Sequence, residues 1–180
     1  MNRNIALVVT DFDGTLWSED HVIHHRSLQA MHSLLASGVI LLGATARRPG
    51  TAQTILKRHG MELPTVYFDG SLAVDLDTHS VFHSVDRQYG GFTISVRPYG
   101  VNKWTAVEAF IARRGITDGA VLAIGDGEND LELLTNADVS CAVAGACQAV
   151  LNVGTYNVGP PDQGGWAAIM DLVQRAESPG

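Results

Sequence analysis

The sequence predicts an α/β fold, a parallel sheet with helices on both faces. Three observations predict it. Short, nearly uninterrupted apolar runs recur along the chain and alternate with stretches of helical periodicity, as strands buried on both sides do. Polar residues gather where those runs end, and in open parallel sheets ligands bind beyond the carboxyl ends of the strands. One central stretch alternates with a period of two instead, as a small antiparallel insertion does.

The elements follow in order. "IALVVT" at 5–10 is a β-branched run that suits a buried strand. Residues 25–37 set Leu28, Met31, Leu34 and Leu35 at helical spacing, with Gly38 as a stop. "VILLGAT" at 39–45 is a second strand, and "TAQTILKRHG" at 51–60 is a helix opened by Pro49-Gly50 and closed by Gly60. "TVYFDG" at 65–70 is a third strand. "SLAVDL", "SVFHSV" and "FTISV" within 71–97 read as an antiparallel meander of two or three strands. Helical spacing returns at 103–114, where Trp104, Val107, Phe110 and Ile111 share a face. A strand at 120–126, a helix at 128–137 and a strand at 139–144 come next. A short helix at 145–153 and a closing helix at 164–176 complete the pattern, with a frayed tail. The expected organisation is one domain over 1–180 with 71–97 as a small β insertion, and right-handed crossovers.

Composition narrows the function classes. Hydrophobic residues make up 46% and charged residues 17%, which allows a real core. The net charge is −7 and no basic run exceeds a pair, so nucleic acid and anionic membrane surfaces are not expected partners. The apolar runs are too short to cross a bilayer, and no basic segment followed by an apolar one opens the chain. Cys141 and Cys147 read as small core residues in a reducing compartment, so the cytoplasm is the expected location.

The chemistry lies at the strand ends. Asp11, Asp13, Asp126 and Asp130 come from distant parts of the chain and are expected in one crevice, where mutual repulsion requires a cation. Hard carboxylate oxygens with room for water select Mg²⁺, which binds one or two carboxylates plus a substrate phosphate. Asp11 and Asp13 are two apart on extended backbone and face the same way. Asp11 can attack phosphorus and form an aspartyl-phosphate, and Asp13 can protonate the leaving alcohol and later deprotonate water. Gly14 lets the chain turn and Thr15 can bond back to the loop. Thr45 offers a hydroxyl and neighbouring amides to a phosphate oxygen. Lys103 opens a helix, where the macrodipole disfavours a cation, so a nearby anion explains it.

The remaining polar residues carry plainer expectations. Arg47 and Arg48 read equally as a solvated pair or as phosphate contacts. Glu128 faces solvent at a helix start. His21, His24 and His25 lack metal-ligand spacing and read as solvated or capping groups, with a brush against substrate from beside the first loop as the other reading. Trp17 packs that loop, with stacking on a sugar ring as the other reading.

"DFDGTL" at 11–16 resembles the first signature of the haloacid dehalogenase superfamily of phosphohydrolases. "GATARR" at 43–48, "GVNKWTAV" at 100–107 and "GDGEND" at 125–130 resemble its second, third and last, in the right order. The forms "VNK", "GDGEND" and "PPDQGGWAAIM" are similar to the Cof-type branch, which includes sucrose-phosphate phosphatase and phosphomannomutase relatives. The resemblance implies a Rossmann-like core, Asp11 as nucleophile and Asp13 as acid/base. It implies Mg²⁺ held by the Asp11 side chain, the Asp13 carbonyl and Asp126, with Asn129 and Asp130 in support directly or through water. It assigns phosphate contacts to Thr45 and Lys103, with Ala46 and Asn129 alongside.

Two departures from that branch stand out. Ala46 stands where the branch has glycine, which matters only if φ is positive there. The cap domain between the second and third motifs is almost absent, with the meander in its place. A small cap leaves the site open, so a neighbouring subunit of a homo-oligomer covers it, or the substrate is bulky, or selectivity is low.

The expected activity is hydrolysis of a small phosphorylated metabolite, a sugar or sugar acid first. A phosphotransferase or mutase would use the same intermediate but needs a closed site. A non-catalytic module phosphorylated on Asp11 would have no use for a general acid at Asp13.

Overall fold

A computed structural model of the chain describes residues 4–70, 72–74 and 100–177. In chain order its strands are β1 (Ile5–Thr10), β2 (Ile40–Ala44), β3 (Thr65–Tyr67), β4 (Leu72–Val74), β5 (Ala120–Gly125), β6 (Val139–Val143) and β7 (Tyr156–Val158). Its α-helices are α1 (His25–Ala36), α2 (Pro49–Arg58), α3 (Lys103–Arg114), α4 (Leu131–Asn136), α5 (Gln148–Val153) and α6 (Ile169–Glu177). The strands form one sheet in the order β4-β3-β2-β1-β5-β6-β7. β4 runs antiparallel to β3, and every other pair is parallel. β1 is central: Val8 pairs with Leu41 on one side and Leu122 on the other.

Alternation along β1 explains the layers. Val8 faces a cluster with Met31, Leu34, Leu56, Tyr67 and Trp166. Leu7 and Val9 face the opposite cluster, with Val107, Phe110, Leu133 and Val150. The strand is therefore apolar from Ile5 to Val9, because neither face meets water. Cys141 lies in the first cluster and the half-buried Cys147 against the second, both as free thiols. Each buried aliphatic side chain contributes about 1.5–3 kcal/mol, so two such layers can support a crevice whose like charges oppose folding.

The expected boundaries move for local reasons. α2 begins at Pro49 rather than 51, since Arg48 is extended (φ −76°, ψ 149°) and proline is preset for the first helical position. The third strand stops at Tyr67, because Asp69 adopts φ 51°, ψ 38° within a 3₁₀ turn at Phe68–Gly70. The helix expected at 128–137 opens as a 3₁₀ turn, Glu128–Asp130, before α4. The closing helix opens as a 3₁₀ turn at Gly165–Ala168 after Gly164 at φ 73°. β7 is not legible in the sequence: it is a three-residue edge with Tyr156 and Asn157 exposed, too short for a period to show. Of the meander expected at 71–97, β4 supplies one antiparallel strand, and the rest lies outside the described residues. Among the described residues, no helix is long and apolar enough to cross a membrane.

Candidate active site

The crevice forms at the carboxyl ends of β1, β2, β3 and β5. Asp11 leaves β1 still on the ladder, its amide donating to Ile124 O at 3.0 Å. The Thr10 hydroxyl donates to Asp11 O at 2.6 Å and accepts from Trp166 Nε1 at 2.9 Å, so the start of the loop is pinned from the core. Gly14 turns the chain at φ 72°, and a Cβ there would lie 2.5 Å from Asp126 Oδ2. Glycine is required for both reasons: left-handed backbone and close approach of two acidic loops. The Thr15 amide bonds back within the loop, donating to Phe12 O at 3.3 Å, while its hydroxyl reaches across to Asp126 Oδ1 at 2.9 Å.

The β5 loop is held by Asp130. Its Oδ2 accepts from the amides of Asp126 and Gly127, each at 3.1 Å. Its Oδ1 accepts from Lys103 Nζ at 2.6 Å. Lys103 enters from the first turn of α3, where Asn102 and Thr105 form a reciprocal cap. Its Nζ also donates to Asp11 Oδ1 at 2.6 Å, and the side chain is fully buried. The anions that explain a lysine at this helix start are thus Asp11 and Asp130.

Carboxylate oxygens of Asp11, Asp126 and Asp130 lie within 4.8 Å of one another. One lysine does not neutralise three carboxylates. Burial pushes Asp11 well above the ordinary carboxylate range, Lys103 pulls the other way, and Asp130 and Asp126 add to the rise. Burial raises Asp126 as well, against the Thr15 hydrogen bond and with Asp130. Burial alone would lower Lys103, but Asp11 and Asp130 outweigh it and keep the ammonium charged. The donor set is all hard oxygen with an excess of negative charge, which fits a divalent cation. Asp11 and Asp126 each keep one carboxylate oxygen without a hydrogen bond among the described residues, whereas both Asp130 oxygens are engaged.

A stability prediction follows. A carboxyl whose folded pKa is raised opposes folding once pH rises through the interval between the ordinary and raised values. Asp126→Asn removes that charge and keeps the acceptor for Thr15. Without metal, the variant is expected to melt a few degrees above the parent at pH 7.5, a gap that closes as pH falls. Adding a divalent cation should raise the Tm of the parent and not of the variant. Thermal melts with EDTA and with cation check both.

The other expected residues lie around this cluster. Asp13 is tied to Arg47, whose Nε donates to Oδ2 and Nη2 to Oδ1, both at 2.6 Å. Trp17 Nε1 donates to Asp13 Oδ1 at 3.0 Å. Burial would raise Asp13, but the Arg47 and Trp17 hydrogen bonds and the arginine charge hold it below the usual range. Thr45 is buried; its hydroxyl accepts from the Arg47 amide at 3.1 Å. Ala46 is exposed and has no positive φ, so alanine fits where the motif has glycine. Asn129 donates its amide to Asp69 Oδ1 at 2.8 Å. Glu128 is exposed, as expected.

Sequence reasoning passed over Asp69. It is buried at φ 51°, and its amide donates to Thr45 O at 3.1 Å. The following Gly70, at φ 104°, brings the backbone so close that a Cβ would lie 2.1 Å from Asn102 O. This turn joins the loops carrying Thr45, Lys103 and Asn129. The signal was present: "TVYFDG" ends an apolar run on a carboxylate, as the runs before Asp11 and Asp126 do. Trp17 is fully buried and packs on Phe12 at 4.6 Å, which excludes stacking on a ligand. A cavity of about 470 Å³ adjoins the site, lined by Gly14 and Asp126 and by Glu19, Asp20 and Asp162.

A sequence profile of haloacid dehalogenase-like hydrolases matches residues 8–88 and 82–170. The chain is 34% identical over 80 residues to a 5-amino-6-(5-phospho-D-ribitylamino)uracil phosphatase of Escherichia coli, a match covering 44% of this chain and only 30% of that enzyme. It is 30% identical to a phosphoglycolate phosphatase of Methanoculleus marisnigri over 200 aligned positions, covering 79% of this chain and 85% of the relative. A phosphoglycolate phosphatase of Methanospirillum hungatei is 23% identical over 221 positions, covering 92% and 95%. Both alignments have more positions than this chain has residues, so those relatives carry residues without a counterpart here. A HAD/COF-like hydrolase from Plasmodium vivax has the same fold, with a TM-score of 0.79, 16% identity and 96% of each chain covered. A haloacid dehalogenase-like hydrolase from Bacteroides thetaiotaomicron superposes with a TM-score of 0.76 at 15% identity, covering 94% of this chain and 99% of the other. The chain belongs to the haloacid dehalogenase-like hydrolases.

Proposed function

We propose that the chain is a Mg²⁺-dependent phosphatase of small phosphorylated metabolites that works through an aspartyl-phosphate on Asp11. The carrying observation is the buried Asp11–Lys103–Asp130 bridge beside Asp126, a cluster whose excess of like charge opposes folding, as clusters at active sites do. Asp11, Asp126 and the Asp13 carbonyl would hold the ion, with Asp130 fixing the loop. Bound Mg²⁺ supplies positive charge against the phosphate oxygens.

The chain's own groups do the rest. Lys103 orients the Asp11 carboxylate and adds a fixed positive charge for the phosphate, with the Thr45 loop, Ala46 and Asn129 at its margin. An Asp11 oxygen bonds to phosphorus as the ester oxygen leaves, and Asp13 gives that oxygen its proton. Water then attacks phosphorus, Asp13 takes a proton from it, and the Asp11–phosphorus bond breaks to restore the carboxylate. Arg47 favours ionised Asp13, the form the second step needs.

The relatives named above act on small phosphorylated metabolites, which supports that substrate class. The acidic cavity beside Asp126 favours an uncharged polyol leaving group over a carboxylate, since its lining carboxylates repel a second anion. The reading includes one domain with a reduced cap at 71–97. It is tested with p-nitrophenyl phosphate: turnover should require Mg²⁺ and stop with EDTA. A polyol phosphate should then outpace phosphoglycolate. Absence of Mg²⁺-dependent turnover would count against the hydrolase reading.

A further inference from the structure

We propose that His21 is a positioning residue for Asp13, acting through Arg47. The inference rests on the phosphatase reading above. Asp13 sits at the mouth with its side chain 45% exposed, so neither packing nor burial fixes its plane. A carboxyl that must give and then take a proton needs a fixed direction, because small misplacements cost large factors in rate. The Arg47 fork supplies it with two parallel contacts, and Trp17 adds a third. A guanidinium on a four-bond stem is itself mobile, so the fork must be held in turn.

His21 holds it. Its Nε2 lies 2.6 Å from Arg47 Nη2. Arginine only donates, so Nε2 is the acceptor and carries no proton. The contact therefore spreads across both ends of Nη2: Asp13 Oδ1 on one side, His21 on the other. The Trp17 ring lies 6.0 Å from the Arg47 guanidinium carbon.

The loop is shaped to deliver this ring. His21 adopts φ 57°, a left-handed conformation that a histidine takes only against a cost. Its amide donates to Ser18 O at 2.9 Å. From α2's end, His59 Nε2 lies 3.3 Å from His21 O and 3.4 Å from the Ile23 amide, serving one or the other according to its tautomer. Isolated bridges from Asp13 to Trp17 and from Trp17 to Ile23 tie the same segment to the first motif. Thus a strained residue on the loop after the nucleophile reaches the second motif's arginine, and that arginine reaches the acid/base. The hydrogen-bond contact of the His21 ring is with Arg47, and Arg47 in turn bonds Asp13.

The test uses His21→Ala and His21→Gln on the full chain, with phenyl phosphate and p-nitrophenyl phosphate. Both variants keep a Cβ at the same φ, so backbone strain cancels between them. Only Gln restores an acceptor for Arg47. The two esters share a shape but differ in how much the departing oxygen needs a proton. For His21→Ala, kcat/KM for phenyl phosphate should fall by about tenfold or more, and for p-nitrophenyl phosphate by less than about threefold. His21→Gln should recover most of the difference. An equal fall with both esters, no change with either, or a Gln variant that behaves like Ala overturns the proposal. If the wild type hydrolyses neither ester, the phosphatase reading fails and this one falls with it. If the wild type hydrolyses both and the ratio does not move in His21→Ala, only this inference fails.

Discussion

Asp11→Asn is expected to lower kcat for p-nitrophenyl phosphate by about 10³-fold or more at saturating Mg²⁺, with the fold intact. The expectation of a large effect comes from the role. An amide oxygen is a far weaker nucleophile than a carboxylate, and no neighbour can take over. Asp13 is bound to Arg47 and Trp17, and both Asp130 oxygens are engaged. Asp126 gives one oxygen to Thr15 and would give the other to the ion. The expectation of an intact fold comes from geometry. Asn keeps an acceptor for Lys103 Nζ and removes one of the buried charges that burial itself disfavours. The metal-free variant should therefore melt no lower than the parent. Acid-quenched wild type should carry a phosphoryl group on the peptide containing Asp11, and the variant should not. A variant that keeps a tenth of the parental rate would remove Asp11 from the chemistry.

The layers were legible because both faces of each central strand are buried. That condition writes long apolar runs such as "IALVVT" and "AVLAIG" that need no partner information to read. The acidic strand ends were legible for the complementary reason: a carboxylate directly after such a run is expensive without a purpose. What stayed hidden depends on pairings between segments far apart in sequence. Arg47 reads equally as solvated or as a phosphate contact, and it is turned onto Asp13, 34 positions away. His21 reads as a solvated or capping group because its partner is 26 positions on. Asp69 gains its meaning only when the β3 turn meets α3 and Asn129, 60 positions on. The 3₁₀ starts before α4 and α6 also escaped, since they arise from side-chain-to-amide bonds and a left-handed glycine rather than from apolar spacing.

Lys103→Met should be the most destabilising single change in the site, by about 3–5 kcal/mol near pH 8 without metal. Methionine fills nearly the same volume, so the loss is electrostatic and not a cavity. It strands Asp11 and Asp130, both buried, without their shared cation. Asp130 keeps two amide donors, so Asp11 bears the larger share. The sign with pH follows from which groups are left. Without Lys103 the folded-state affinity of Asp11 for a proton rises further, so the variant's deficit grows as pH climbs and shrinks as protonation neutralises the carboxyl. Urea unfolding at pH 5.5 and pH 8 should show a smaller deficit at the lower pH. Adding Asp130→Asn to Lys103→Met should recover part of the loss, although Asp130→Asn alone costs stability by weakening the loop. That non-additivity is the signature of a shared buried ion pair, because residues without contact would simply add. If the double variant is destabilised by the sum of the two single changes at both pH values, Lys103 is not the charge that holds these carboxylates together.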